Sequence, residues 1–374
     1  MKRFNSICSY LVLSLFLLRF LLGEILRFDT HVLTVTIFLF FLITIDYTHF
    51  NVKTYFPLFF LFILGFAIGN QSMLMLCTLV LVVVCCKKLT IREAALFCFF
   101  GQLFILIFMA FCAMSGVIPI RVETFEKGIT YDMGFGNSNG LSVFIFSTIT
   151  SMYIGLKGRI NTVRLIWTYL FISCIAFYFT KGRTYFIGEI LFLVSFPVVN
   201  FLKEAAVRRF LPAISLIPLI VMAVILYILF NIGQFEAMTE SLTGRPAFWF
   251  VYLDRFLESD MWVGYDLAVV KDELEREITL DCSYLTMLFA TGILGYTLFS
   301  YLFFKAIYSG FSYIYHLYFP LLISVLIAGL TENIFMSSLP INLLYFMVLY
   351  NAAFGRRKTD MYRRVIQPVS FNCL

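Results

Sequence analysis

The sequence predicts an all-α polytopic membrane protein. Of its 374 residues, 61% are hydrophobic and only 13% are charged, whereas soluble domains average roughly 25% charged residues. The mean hydropathy is +0.92. Only helices and closed barrels satisfy the backbone polar groups in lipid, and the apolar runs here are too long for barrel strands. We therefore expect a bundle of spanning helices that occupies the whole chain, residues 1–374, as a single integral membrane domain.

The apolar runs set the number of spans. A helix needs about 20 apolar residues to cross the hydrocarbon core, with a range of roughly 17–25. About 12 transmembrane helices are expected on this criterion, and the second and fourth candidates are short. The candidates cover residues 5–23, 31–46, 54–69, 72–86, 93–117, 140–156, 165–180, 184–202, 210–231, 283–307, 311–330 and 334–354.

The distribution of Lys and Arg predicts the orientation, because cytoplasmic loops carry an excess of both residues. With a cytoplasmic N-terminus, 18 of the 28 basic residues face inward, nine face outward, and Arg19 lies within a helix. An even number of spans places both termini in the cytoplasm, including the basic tail 355–374. The one large polar loop, 233–282, then connects helices 9 and 10 on the extracytoplasmic side.

The large loop is expected to hold two short helices separated by Gly264. Pro246 favours a helix start, since proline suits a first helical turn, and residues 266–277 are predicted to form a second, acidic helix. The acidic cluster at 272–277 is interpreted as a solvated helix face, which is the usual role of such a charge run. The three histidines are scattered, so no metal site is expected.

Two outward-facing segments precede the large loop. In Gly134-Phe-Gly-Asn-Ser-Asn-Gly140, Asn137 and Asn139 enter the sixth helix. The backbone N–H groups there could bind an anion, or the segment is an ordinary turn with a helix cap. In Thr180-Lys-Gly-Arg-Thr184, Lys181 and Arg183 are outside cations that either bind phosphate or reach toward lipid headgroups.

Two further segments flank the large loop. Leu242-Thr-Gly-Arg-Pro-Ala-Phe-Trp249 contains Arg245, whose planar guanidinium suits bidentate phosphate binding or is simply a surface charge at a helix start. Asp281-Cys-Ser-Tyr284-Leu enters the tenth helix, and Asp281 is either an N-terminal cap or a group that orients or deprotonates a sugar hydroxyl.

Two more carboxylates stand out. Glu189 follows Thr184 by five residues and therefore lies about 7–8 Å into the membrane at 1.5 Å per residue. An ionisable residue at that depth is a candidate functional group, although structural pairing, with Arg183 as the nearest partner in sequence, explains it equally well. Glu332 lies in a short turn that is expected to face the same outer surface.

The ordered set of these segments resembles the bacterial O-antigen and capsular polysaccharide repeat-unit polymerases (Wzy-type), which are related to the O-antigen ligases. The set runs from Asn-x-Asn through Lys-Gly-Arg-Thr, Leu-Thr-Gly-Arg-x-x-x-Trp and Trp-Val-Gly to Asp-x-Ser-Tyr-Leu and Gly-Ile-Leu-Gly. The resemblance covers nearly the whole chain in span count and loop position. Each local motif is degenerate, so the order and topology carry the resemblance.

The resemblance implies a membrane glycosyltransferase of the bacterial cytoplasmic membrane. Such an enzyme moves a growing glycan from undecaprenyl pyrophosphate onto the next lipid-linked repeat unit. The implied partners are this lipid-linked oligosaccharide, membrane lipid, a chain-length regulator and a flippase, with no nucleic acid. No cofactor or metal is expected, because the donor already carries a good leaving group.

The chemistry suggests roles for the candidate residues. Arg183 and Arg245 would stabilise the charge of the departing pyrophosphate. Asp281 and Glu332 are candidate bases for the acceptor hydroxyl, and Glu189 is a weaker one. The candidate substrate-binding residues are Asn137, Asn139, Lys181, Glu189, Trp249, Gly264 and Tyr284.

Three alternatives remain open. The ligases resemble one another in a His-Asn pair where this chain has Asp281-Cys282, which favours a polymerase over a ligase. A transporter or flippase for the same lipid-linked sugars fits the span count, although such proteins usually show more intramembrane charges and two related halves. A structural subunit of a cell-wall complex would tolerate substitution of the outside arginines.

Overall fold

A computed structural model gives the structure of the protein. It describes residues 2–26, 28–44, 60, 62–87, 89–125, 128–135, 137–202, 204–231, 245–267, 280–335, 337 and 339–354. These residues are predominantly helical, as expected. The predicted second loop helix lies almost wholly outside the described residues, as do the basic tail and most of the third predicted span.

The described helices are those of a membrane-embedded protein. Five are long and apolar enough to cross a membrane, namely Ser6–Gly23, Ile91–Met114, Ser138–Leu156, Thr162–Thr180 and Ser283–Ile314. Five more apolar helices have 10–17 residues. The short second and fourth predicted spans are among these, at 14 and 15 residues.

The helices follow one another with short connections. Helix α1 continues into a π-helical turn at Phe20–Ile25, and α11 is the first predicted helix of the large loop, which is thereby confirmed. The helices are α1 Lys2–Arg19, α2 His31–Thr44, α3 Gln71–Cys85, α4 Ile91–Met114, α5 Ser138–Leu156, α6 Thr162–Thr180, α7 Arg183–Phe201, α8 Glu204–Arg208, α9 Leu211–Ser215, α10 Ile217–Phe230, α11 Arg245–Glu258, α12 Ser283–Leu317, α13 Phe319–Ala328 and α14 Pro340–Phe354.

Helix starts in the bundle are encoded by polar side chains that accept hydrogen bonds from otherwise unpaired N–H groups. Asn70, Asn137 and Asn161 cap α3, α5 and α6 in this way. At α4, Thr90 and Glu93 bond reciprocally in a capping box. Helix α12 packs extensively on α14, α4 on α5, and α7 on α13, so the beginnings of α7 and α12 lie next to the α13–α14 turn.

Two features depart from the expected pattern of uninterrupted helices. A two-stranded antiparallel hairpin, β1 Val122–Phe125 and β2 Gly128–Tyr131, precedes α5. The last helix begins only at Pro340, rather than at 334. The non-helical turn before it is stabilised by side chains, because Ile341 donates its backbone N–H to Ser147 Oγ at 2.9 Å and Asn342 Nδ2 donates to the Phe335 carbonyl at 2.6 Å.

Helix α12 is also interrupted, at Gly292, where the sequence predicted one continuous span. Gly292 has φ 66° and ψ −175°, a backbone region that is essentially restricted to glycine. The break leaves backbone groups unpaired, and residues 261–265 of the large loop pair with them. Tyr265 N donates to Phe289 O at 2.9 Å, and Ile293 N donates to Met261 O at 2.9 Å.

Two glycines make this close approach possible. A Cβ atom on Gly264 would lie 2.3 Å from Phe289 O, and one on Gly292 would lie 2.2 Å from Trp262 O. Asn70 Nδ2 pairs with the nearby Ala290 carbonyl at 2.7 Å. The interruption is therefore a paired interface between the large loop and α12, and the loop is part of the bundle.

We expect Gly292→Ala to lower the thermal stability of the purified protein strongly, because the new Cβ clashes with backbone and the required φ is strained. A non-glycine residue in such a conformation costs about 1–3 kcal/mol before any clash. Gly69→Ala is the matched control, since Gly69 also has a positive φ, of 70°, but has open space around it. Melting followed by size-exclusion in detergent checks this. Equal losses in both variants would contradict the proposed close contact.

Candidate functional site

Arg245 lies at the centre of the largest group of charged side chains that the structure brings together. It is the first residue of α11. Its Nη1 donates to the Thr331 carbonyl at 3.0 Å. Its Nη2 lies 3.5 Å from Glu332 Oε1 and 3.8 Å from Asp281 Oδ2. Arg245, Asp281 and Glu332 are called the ionic cluster below, and they come from three segments that are distant in the sequence.

Ser283 positions Glu332 within this cluster. The Ser283 backbone N–H donates to Gly329 O at 2.8 Å, and its hydroxyl donates to Glu332 O at 2.6 Å. The same hydroxyl accepts the Ile334 N–H at 2.7 Å. One side chain at the start of α12 thus holds the whole α13–α14 turn. Asp281, two residues before Ser283, is brought to the same place.

The start of α7 completes the surroundings of Glu332. The buried Tyr185 hydroxyl donates to Glu332 Oε2 at 3.1 Å. Thr331 Oγ1 donates to Thr184 Oγ1 at 3.3 Å. The two Glu332 carboxylate oxygens therefore have different neighbours, a cation on one side and a phenol on the other, and the carboxylate is held in one orientation.

The electrostatics of Glu332 suit proton transfer. Burial is the main cause that raises its pKa, to about 7, and the neighbouring Asp281 charge raises it further. Arg245 and the hydroxyls of Tyr185 and Thr184 act in the opposite direction. A general base works best when its pKa is close to the working pH. The ionic cluster thus combines a cation that can bind an anion with a carboxylate that can accept a proton near neutrality.

Arg183 and Lys181 lie at the α6–α7 turn, outside the ionic cluster. Arg183 is exposed at the first position of α7, two residues before Tyr185, so the helix turns its side chain away from Glu332. Within the described part of the chain it forms no ion pair with the cluster. Lys181 adopts a left-handed conformation at φ 53°, and its Nζ lies 4.7 Å from the centre of the Tyr178 ring.

The Asn137–Gly140 segment forms a helix cap. Asn137 Oδ1 accepts the Gly140 N–H at 2.5 Å, so this N–H is already paired. Asn139 is exposed on the first turn of α5. Gly182 packs tightly on Ser142 of the same helix, since a Cβ on Gly182 would lie 2.3 Å from Ser142 Oγ. The two predicted outward-facing segments are therefore neighbours.

Trp249, Gly264 and Tyr284 are packed into the protein. Trp249 is 6% exposed, and its indole N–H has no acceptor among the described residues. Gly264 lies in the backbone contact with α12. The Tyr284 hydroxyl donates to Leu326 O at 3.1 Å. These three residues support the site from behind, and contact with a substrate stays a prediction for each.

Glu189 is separate from the ionic cluster. It is 2% exposed on α7, one and a half turns beyond Tyr185. It faces α6, where the Ser173 hydroxyl and the Tyr169 phenol are its polar neighbours. No described lysine or arginine forms a salt bridge with it, including Arg183, its expected partner in sequence.

The sequence gave no reason to select Tyr185 or Ser283. A tyrosine at the start of an apolar helix and a serine beside a helix cap are both common, and their importance depends on residues over 40 positions away. Among the described residues, no three His, Cys, Asp or Glu side chains are grouped so that they could hold a metal ion. The absence of a metal and a cofactor stays a prediction.

Comparison with known proteins adds no relative to this description. No family model, no curated protein and no solved structure matches the chain.

Proposed function

We propose that the protein is a polysaccharide repeat-unit polymerase of the O-antigen or capsule type. It would transfer a growing glycan from undecaprenyl pyrophosphate onto a new lipid-linked repeat unit, at the outer face of the bacterial cytoplasmic membrane. The proposal includes about twelve spans, both termini in the cytoplasm and the large loop outside. The observation that supports it best is the ionic cluster, in which Arg245 lies 3.5 Å from a carboxylate suited to act as a base near neutral pH.

The reaction needs both parts of that cluster. The acceptor hydroxyl oxygen attacks the anomeric carbon of the donor glycan, and the bond from that carbon to the pyrophosphate oxygen breaks. A carboxylate, Glu332 or Asp281, takes the hydroxyl proton. The leaving pyrophosphate carries away the bonding electrons, and Arg245 stabilises its charge. A guanidinium has five N–H donors, so Arg245 can contact phosphate oxygens while it retains its bond to the Thr331 carbonyl.

A deletion strain tests the proposal directly. Surface polysaccharide from the strain, with and without the restored wild-type gene, is separated on a gel. We expect a ladder of long chains to collapse to single repeat units on deletion and to return on complementation. Unchanged chain lengths would contradict the proposal. Full-length chains that accumulate on the lipid carrier instead would identify a ligase.

We expect the acid side of the pH–activity profile to respond in opposite directions to two substitutions. A base must be deprotonated, so activity falls as the pH drops below the Glu332 pKa of about 7. Tyr185→Phe removes a hydrogen bond that favours the charged carboxylate, which shifts the loss of activity to higher pH. Asp281→Asn removes a repelling charge, which shifts it to lower pH.

The measurement is the pH dependence of kcat/KM for purified protein, with repeat units extracted from the deletion strain as substrate. Loss of activity at every pH in Asp281→Asn, with Glu332→Gln still active, would show that Asp281 is the base. Shifts of the same sign in Tyr185→Phe and Asp281→Asn would refute the assignment of the profile to Glu332.

One observation favours a second candidate, a proton-coupled transporter of the same lipid-linked sugars. Glu189 is buried in an apolar helix with a hydroxyl and a phenol as its neighbours. Buried intramembrane carboxylates commonly carry protons in transporters. A transporter predicts that the deletion strain accumulates single repeat units on the cytoplasmic face of the membrane, whereas a polymerase leaves them on the outer face.

A further inference from the structure

Helix α11 has a sharply divided surface. One face is buried against the bundle, and a flank beside it is apolar but exposed, with Phe250 43% and Leu257 48% exposed. These two residues are seven apart and therefore lie on the same side of the helix. The buried face consists of Trp249, Tyr252, Leu253 and Phe256.

The remaining surface of α11 is charged. Asp254, Arg255 and Glu258 are exposed, and Arg255 Nη1 lies 3.4 Å from Glu258 Oε2. Around the helix, the order is thus a protein-facing side, an apolar exposed flank and a charged side. This order is typical of a helix that lies in a lipid–water boundary, where the three surroundings meet along one axis.

The chain after α11 extends the apolar flank to a spanning helix. Trp262 is 60% exposed, and its backbone carbonyl accepts the Leu294 N–H at 3.2 Å. Ile293 and Leu294 are themselves exposed apolar residues, and they follow the Gly292 interruption of α12. The exposed indole therefore adjoins the apolar surface of a membrane-spanning segment.

The path of α11 keeps this arrangement along its length. Its first residue, Arg245, lies beside Asp281 just before α12, and Phe256 lies near its end, with its ring centre 5.1 Å from that of Phe289. Helix α11 thus runs beside the part of α12 that precedes Gly292, and the two segments advance in the same direction.

We propose that α11 and residues 259–264 lie in the boundary of the phospholipid bilayer, with Phe250, Leu257 and Trp262 inserted among the lipid chains. Tryptophan is enriched at this depth because its ring is apolar and its N–H is polar. A consequence, which rests on the proposed function, is that α11 sets the depth of Arg245, its first residue, at the level of the lipid phosphates where a lipid-linked pyrophosphate would lie.

Thiol labelling in intact cells and in phospholipid proteoliposomes tests the position of the helix. Leu257→Cys and Trp262→Cys are compared with Glu258→Cys, a control on the charged side of the same helix, and wild-type protein gives the background. We expect a charged maleimide to label Glu258→Cys at least about tenfold faster than the other two, because an apolar environment disfavours the reactive thiolate. Equal rates in proteoliposomes would overturn the proposal.

A second measurement identifies the occupant as lipid. Tryptophan fluorescence of wild-type protein and of Trp262→Phe is compared in vesicles of brominated and ordinary phosphatidylcholine. We expect Trp262 to contribute a component that the bromine atoms quench. Absence of that component would overturn the proposal, and so would protection of Leu257→Cys in cells but not in proteoliposomes, which would indicate a protein partner. Neither readout depends on polymerisation, so failure here is distinguishable from failure of the proposed function.

Discussion

Arg245→Ala is expected to reduce the formation of long glycan chains about 100-fold or more, the usual cost of removing a group that stabilises transition-state charge. Single lipid-linked repeat units should accumulate. The physical reason is double, because the substitution removes the cation for the leaving pyrophosphate and leaves Glu332 and Asp281 without the charge that now lies 3.5 and 3.8 Å from them. The measurement is the chain-length distribution of surface polysaccharide at equal protein level.

The control comes from the same helix. Arg255 is exposed and pairs locally with Glu258, so Arg255→Ala should leave the chains long. Arg245→Lys retains the charge but lacks the planar fork, and we expect it to be nearly as defective as Arg245→Ala. Arg183→Ala asks whether the exposed arginine of α7 contributes a second cation. Normal polymer from both the Arg183→Ala and Arg245→Ala variants would refute the proposed role of these arginines.

Glu332→Gln should produce the second large effect, a loss of about 10²–10⁴-fold in the turnover of purified protein, which is the range that general base catalysis contributes. Glutamine has nearly the same volume as glutamate and can still accept the Tyr185 hydrogen bond, so the α13–α14 turn should keep its shape. The side chain can no longer accept a proton. Initial rates with extracted repeat units measure the loss.

Asn333→Ala is the appropriate control for this position. Asn333 is the next residue in the same turn, and it is exposed, so its replacement should leave the rate unchanged. If Glu332→Gln instead retains full activity and Asp281→Asn is inactive at all pH values, the base is Asp281, and Glu332 only orients Arg245. Full activity in both variants would exclude a carboxylate base in the ionic cluster.

Much of the architecture follows from local sequence. Long apolar runs can form only helices in lipid, and residues such as Asn70, Asn137 and Asn161 mark helix starts because their side chains accept the free N–H groups. The loop helix that begins at Arg245 follows from Pro246 in the same way. The Gly292 interruption could not be predicted, because a glycine in a membrane helix is compatible with a continuous helix.

The candidate site was predictable in its parts and not in its arrangement. The sequence by itself determined a helical membrane protein and selected Arg245, Asp281 and Glu332 as candidates by residue type and expected side of the membrane. Only the tertiary structure decided that these three meet, that Arg183 stays apart from them and that Tyr185 and Ser283 orient Glu332. The reason is that each of these contacts joins segments far apart in the chain, and the packing of α7, α12 and the α13–α14 turn brings those segments together.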